Sequence, residues 1–143
     1  MESNIDPLAE WAVWGHLDRK NDLELILLKG HLLLEKVIET VLERNNIQSY
    51  KNFSFYKKIL TLEKIEFNEN EKKEFIIKSL KNLNKMRNAL AHEFSYRIDN
   101  DIFELWSENV LKKLKGTKFT KYTYRTKKVH SFSSLTINIL ELE

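Results

Sequence analysis

The sequence predicts an all-α protein, a compact up-down bundle of about five helices. Three observations point to this fold class. Apolar residues recur every three or four positions over most of the chain, as along the buried face of an amphipathic helix. The 143 residues include only three glycines and one proline, so few tight turns are available. Hydrophobic residues make up 42% of the chain, which is enough for one buried core.

The helices are predicted in chain order from start signals, apolar spacing and breakers. Asp6-Pro7 indicates a helix start. A second, longer helix is expected from Asp22 to Arg44, and Asn45-Asn46 should end it. Its apolar residues cover more than one face, which is typical of a helix at the centre of a bundle or in a subunit interface. The remaining predicted helices span residues 53–62, 71–91 and 99–114.

Residues 117–143 form a C-terminal extension that we expect to pack on a helical domain of residues 1–116. Apolar and polar residues alternate from Leu135 to Ile139, and the preceding segment is rich in Thr, Tyr and Phe. Both features favour extended structure, so we expect the extension to be partly β. A helix face is also available, through Phe132, Leu135, Ile139 and Leu142. That alternative stays open.

The net charge of +3 conceals an asymmetry along the chain. Residues 112–143 hold eight basic residues against two acidic ones, so the rest of the chain is acidic overall. Such a basic segment indicates a polyanion or an acidic protein surface as partner. RNA contacts are predicted where basic and aromatic residues interleave, at Lys118, Lys121, Tyr122, Tyr124, Arg125, Lys127 and Lys128. A solvated edge strand guarded by lysines is an equally open interpretation.

Composition also limits the class of protein. There is no cysteine, which excludes disulfides and suits a reducing compartment, so we expect a cytoplasmic protein. Charges interrupt the most apolar stretch well before the ~20 residues that a membrane span needs, so no membrane association is expected. His31 and Glu35 lie four positions apart, but no third ligand follows at a recognisable spacing. We therefore expect neither metal nor cofactor, and interpret the pair as hydrogen-bonded or as the polar lining of a cleft.

The most informative segment is Arg87-Asn88-Ala89-Leu90-Ala91-His92, near the end of the predicted helix 71–91. An imidazole that titrates near neutral pH and a permanently charged guanidinium can together cleave a phosphodiester without a metal. Arg87 and His92 are about 140° apart around an ideal helix. They can meet at one phosphate through the reach of arginine, through a fraying last turn or through a second copy of the chain.

This spacing resembles the R-x4-6-H motif of the HEPN superfamily, and the resemblance covers roughly residues 8–114. It implies a small helical domain and a homodimeric, metal-independent endoribonuclease of a toxin–antitoxin or antiphage system. His92 would be general acid or base, Arg87 would stabilise the phosphate transition state, and Asn88 would orient His92 or a phosphate oxygen. The simpler alternatives are a histidine that caps the helix, an arginine paired with Glu74 or Glu93, and a polar residue at a helix end.

The resemblance also suggests a regulator. Some HEPN toxins carry a tyrosine two residues after the histidine, and a partner minimal nucleotidyltransferase modifies it with AMP. Phe94 occupies that position here, and Tyr96 lies four residues after His92, so this sequence departs from that pattern. Tyr96 is kept as a possible lining residue of the site, together with His31 and Glu35. Two other functions stay open: a non-catalytic module that binds nucleotide or RNA, and a structural dimerisation domain.

Overall fold

A computed structural model describes the backbone of residues 7–92, 100–114 and 121–143, and the side chains of residues 23–91, 102–114, 121–123 and 125–143. Within these ranges the chain forms five α-helices, a short 3-10 turn and no strand. The helices are α1 (Pro7–Arg44), α2 (Phe55–Lys64), α3 (Asn70–His92), α4 (Asn100–Lys113) and α5 (Tyr124–Leu140), and the turn is Ser49–Asn52. The predicted all-α helical bundle is confirmed.

The first two predicted helices are one continuous helix, α1. Between them lie a single glycine, Gly15, and no proline, and one glycine alone does not interrupt a helix. The predicted end of the helix is correct. Asn46 adopts a left-handed backbone conformation with φ of 63°, and the Ile47 N–H donates to the Leu42 carbonyl oxygen at 2.9 Å, as in a helix C-cap.

The C-terminal segment is helical, so the expectation of extended structure is wrong over Tyr124–Leu140. Thr123 starts the helix with a capping box, because its side chain and that of Thr126 each accept a hydrogen bond from the other residue's backbone N–H. In an alternating strand, Leu135, Ile137 and Ile139 would share one buried face, yet Ile137 is 52% exposed. The helical alternative is the one realised, and its apolar face is buried: Phe132, Leu135, Ile139 and Leu142.

The core lies around α1, which packs against α2, α3 and α5, while α4 packs against α5 and α3. Every described helix contributes to one continuous apolar cluster. Gly30 brings α1 and α5 close together, since a β-carbon at that position would lie 2.4 Å from the Phe132 ring. At the other end of α5, Arg44 donates to the Leu140 carbonyl oxygen at 2.8 Å. Both contacts place α5 along α1 in the same direction.

Candidate functional site

A cavity of about 660 Å³ opens between α1, the start of α2 and the C-terminal part of α3. Its lining residues are Leu28, His31, Leu32, Glu35, Ser54, Phe55, Tyr56, Asn84, Arg87 and Asn88. Four of the residues singled out in the sequence therefore meet at one place: His31, Glu35, Arg87 and Asn88. They come from two helices that are far apart in the chain, and only the packing of α1 on α3 brings them together. We call this the Arg87 cavity.

Arg87 is the one cationic side chain among the described residues that line this cavity. It is partly exposed, and no described carboxylate lies within ion-pair distance of its guanidinium. Glu74, considered as a partner from the sequence, is exposed and makes no such pair with it. A partly desolvated guanidinium without a carboxylate partner is a favourable site for a phosphate or carboxylate ligand.

Glu35 is the acidic residue among the described lining of the cavity, and a lysine of α2 holds it. The buried Lys58 places its Nζ 3.2 Å from Glu35 Oε2 and 2.8 Å from Glu39 Oε2. Burial by itself would lower the pKa of Lys58, but its hydrogen bonds to Glu39 and Glu35 outweigh that effect, and the pKa is raised. The hydrogen bond from Lys58 lowers the pKa of Glu39. This charged cluster links α2 to α1 and pairs the Glu35 carboxylate with Lys58.

His31 lies deeper, only 5% exposed, with its ring centroid 4.0 Å from that of Phe55. Burial lowers the pKa of His31 to about 4, and the nearby Arg87 charge contributes in the same direction. Glu35 and the Asn84 side chain oppose that shift without cancelling it. The Nε2 atom is buried without a hydrogen-bond partner within the described part of the chain. His31 is therefore neutral at pH 7, and near neutral pH Arg87 supplies the positive charge of the cavity.

The predicted catalytic histidine sits at the last residue of α3. The backbone is helical as far as His92, so the helical angle between positions 87 and 92 applies. The His92 side chain and all of Tyr96 lie outside the described residues. Asn88 is exposed at the cavity rim.

The cavity is also lined by polar residues that were not predicted from the sequence. Asn84 is buried and lies three positions before Arg87 and four before Asn88 on α3, so helical spacing could have identified it. Ser54 caps α2, where its side chain accepts a hydrogen bond from the Lys57 N–H at 3.1 Å. Ser54 and the exposed Tyr56 reach the cavity only because of how α2 packs, and the sequence carries no signal for that.

Two lysines predicted to contact RNA form ion pairs within the protein. Lys128 is fully buried, pairs with Glu104 and lies 5.5 Å from the centroid of the Phe103 ring. Lys127 pairs with Glu104 and, at 3.1 Å, with Glu108. Burial would raise the pKa of Glu104, but the hydrogen bonds from Lys127 and Lys128 outweigh it and lower that pKa. An RNA contact does not fit the placement of Lys128, and the charge of Lys127 is already matched.

The other predicted RNA contacts are placed differently. Lys121 and Arg125 are exposed at the start of α5. Tyr122 is partly buried, and its hydroxyl lies 2.6 Å from Nδ1 of His130. Lys118 and the Tyr124 side chain lie outside the described residues. The described members of this group, Lys121, Tyr122 and Arg125, are not among the described residues that line the Arg87 cavity.

Over the residues that the structure describes, no helix is long and apolar enough to cross a membrane. Within the same residues, no three or more His, Cys, Asp or Glu side chains are grouped so as to hold a metal ion. Comparisons of the chain with family models, with curated proteins and with solved structures gave no match.

Proposed function

We propose that this protein is a metal-independent endoribonuclease of the HEPN type, acting in the cytoplasm as a toxin or antiphage component. The observation that carries the proposal is the Arg87 cavity. It holds a guanidinium that has no carboxylate partner among the described residues, beside Asn88, on the helix that ends at His92. The resemblance of Arg87–His92 to the family motif supplies the reaction class, and the cavity supports it with space and charge for a phosphate.

In the proposed reaction, a base takes the proton of the ribose 2′-OH, and the 2′-oxygen attacks the phosphorus to form a 2′,3′-cyclic phosphate. The bond from phosphorus to the 5′-oxygen breaks, and an acid protonates that departing oxygen. His92 takes one of these roles in each copy of the chain. Arg87 donates two hydrogen bonds to the phosphate oxygens, where negative charge builds up in the transition state. Asn88 positions a phosphate oxygen or His92. A neutral His31 beneath Arg87 contributes packing, and its low pKa suits it poorly to proton transfer near pH 7.

The active enzyme in this proposal is a homodimer with the two motifs facing each other. Positions 87 and 92 point about 140° apart on a helix, so one copy alone does not easily direct both at one phosphate. Two apolar side chains at the cavity rim are exposed, Leu28 at 40% and Leu32 at 60%. A two-fold contact through this face of α1 would bury them and bring a second Arg87 and His92 to the same cleft.

Other partners follow from the same proposal. RNA would contact the exposed Lys121 and Arg125 besides the cavity, which increases affinity through phosphate neutralisation. A cognate antitoxin, such as a minimal nucleotidyltransferase, would restrain the activity. The alternative function is a HEPN-like module that binds nucleotide or RNA without cutting it. The cavity supports this alternative as well as it supports cleavage, because Arg87, Asn88 and Asn84 can bind a phosphate or a base whether or not His92 reacts.

The test is cleavage of a single-stranded RNA in the presence of EDTA. We expect the wild-type protein to cut it, and His92→Ala to lower the single-turnover rate by at least about 10²-fold. His130→Ala, a histidine substitution on α5 outside the cavity, is the matched control and should cut normally. Asn88→Ala should slow cleavage, whereas Asn82→Ala, on the same helix but outside the cavity, should not.

Each negative result has a distinct meaning. Unchanged cleavage by His92→Ala would refute the mechanism. Binding of RNA by the wild-type protein without any cleavage would favour the non-catalytic module. Loss of wild-type cleavage in EDTA would replace the proposed mechanism with a metal-dependent one.

A further inference from the structure

A second cavity, of about 460 Å³, lies between α3 and α4. We call it the α3–α4 groove. Its floor is apolar, with Phe75 and Met86 from α3 and Trp106 from α4. Its wall on α4 carries Ile102, which is 52% exposed, and Leu105, which is 58% exposed. Large apolar side chains at this exposure, grouped along a groove, are typical of a surface that a partner covers.

The groove is preformed. The Trp106 Nε1–H donates to the Ser79 carbonyl oxygen at 2.9 Å, which links the two helices beneath the floor. Trp106 also packs against Phe132 of α5, with ring centroids 5.2 Å apart. A partner therefore meets a surface whose aromatic base is already fixed, so binding does not have to order it.

Two lysines mark one side of this groove, Lys78 and Lys85 of α3. They are seven residues apart, so they lie on nearly the same helix face, about 10 Å apart along the axis. Both are exposed, and neither has an ion-pair partner among the described residues. Lys81, between them in the sequence, instead pairs with Glu63. The groove thus combines an apolar floor with positive charge that nothing in the described chain neutralises.

We propose that the α3–α4 groove binds an acidic amphipathic helix of a partner protein. A helix laid in such a groove inserts apolar residues at i, i+3 or i+4 and i+7, and can place carboxylates against Lys78 and Lys85. Aliphatic Ile102 and Leu105 suit apolar side chains, but they offer no aromatic face for a nucleobase. Trp106 is buried and its N–H is occupied, so it does not provide such a face either. Phe75 is only partly exposed, so it offers at most one incomplete aromatic face. The chemistry therefore favours a protein helix over single-stranded RNA.

This inference does not depend on RNA cleavage. Lys85 and Arg87 are separated by about 200° around α3, so the groove lies on the opposite side of the motif helix from the Arg87 cavity. A partner in the groove leaves the Arg87 cavity open, and it contacts the helix face that also carries position 92, seven residues after Lys85. Peptide binding is measured without RNA, so failure of one proposal leaves the other intact.

The test uses a fluorescent peptide of about 15 residues, designed as an amphipathic helix with leucines on one face and glutamates beside them. A control peptide carries lysines in place of the glutamates. We expect the intact protein to bind the acidic peptide at least about tenfold more tightly, by fluorescence anisotropy. The Lys78→Glu/Lys85→Glu protein should lose that preference, and the milder Lys78→Gln/Lys85→Gln protein should weaken it.

Matched variants distinguish binding in the groove from non-specific attraction to the positive charge of the protein. Lys51→Glu/Lys64→Glu changes the net charge equally at exposed positions outside the groove lining, and should leave peptide affinity within about twofold because charges far from the groove are screened. Leu105→Asp should abolish binding. Thermal melts should show that these surface variants remain folded.

Three results would overturn the proposal. One is equal loss of affinity in both lysine pairs, which would mean that the peptide senses only net charge. Another is a dimer in sedimentation that Leu105→Asp dissociates, which would make a second copy the occupant. The third is displacement of the acidic peptide by oligouridylate whose own affinity falls in Lys78→Glu/Lys85→Glu, which would assign the groove to RNA.

Discussion

Two basic regions of this protein look alike in the sequence and differ in the structure. Arg87 lines a cavity and has no described carboxylate partner, whereas Lys127 and Lys128 of α5 are held by Glu104 and Glu108 of α4. Both regions were predicted to contact RNA, Arg87 from its spacing to His92 and the lysines of α5 from their charge. A sequence shows where positive charge is but not what neutralises it. A charge can serve a ligand only where the fold leaves it unmatched.

The difference follows from which helices meet. α5 packs against α4, whose exposed and half-buried glutamates face its first turn. α3 presents Arg87 to α1, where the acidic residue among the described cavity lining, Glu35, is already bound by Lys58. Lys58 thus links α2 to α1 through Glu35 and Glu39. Lys127 and Lys128 of α5 contribute to stability, whereas Arg87 of the cavity is proposed to contribute to function.

The largest expected effect is on stability, and it tests whether the lysines of α5 are structural. Glu104→Ala leaves the fully buried Lys128 without this partner, which should lower the free energy of unfolding by about 2–4 kcal/mol. Glu108→Ala removes only a half-exposed carboxylate and should cost less than about 1 kcal/mol. Denaturant unfolding measures both. If Glu104→Ala were as stable as Glu108→Ala, the lysines of α5 would not be structural, and their assignment to RNA would regain support.

A smaller effect is the pH dependence of the free energy of unfolding, which tests the burial of neutral His31 in the cavity. The pKa of His31 is about 4 in the folded protein, below the value near 6.5 expected for the unfolded chain. Neutral His31 therefore makes its full contribution to the free energy of unfolding above pH 6.5. That contribution is lost as the pH falls from 6.5 to 4, because the unfolded chain takes up the proton first. We expect a loss of about 1–3 kcal/mol in unfolding free energy.

The matched control for this pH effect is His31→Leu, which cannot titrate. Its unfolding free energy should vary less between pH 6.5 and 4 than that of the wild type. Arg87→Ala should retain the dependence but weaken it, because the Arg87 charge is the second cause of the low His31 pKa and burial is the first. A wild-type profile as flat as that of His31→Leu would show that His31 is not buried in its neutral form.

The helices of the middle of the chain could be predicted from the sequence, and the reason is their strong periodicity. For α3, predicted at 71–91, the structure gives Asn70–His92. Extended structure was predicted for the C-terminal helix because Thr, Tyr and Phe favour strands locally. Tertiary packing instead determines the conformation of this segment. A helix buries Phe132 against Gly30 and leaves Ile137 outside, and neither fact is visible in a single segment.

The candidate site was predictable only in part for a similar reason. Helical spacing places His31 with Glu35, and Arg87 with Asn88, within their own helices. That the two pairs share a cavity depends on how α1 packs on α3, and that Ser54 and Tyr56 complete it depends on α2. Pairing of charges across helices, such as Lys58 with Glu35 and Glu39, lies beyond any local pattern.

The most direct test of the central claim, that unmatched charge in the Arg87 cavity is the functional charge, compares two single substitutions. Arg87→Ala and Lys127→Ala each remove one positive charge, and both are assayed for single-turnover cleavage of the same RNA in EDTA. We predict a loss of at least about 10²-fold for Arg87→Ala and a change of less than about twofold for Lys127→Ala, whose charge is matched by glutamates. Equal losses in the two variants, or full activity in Arg87→Ala, would contradict the account.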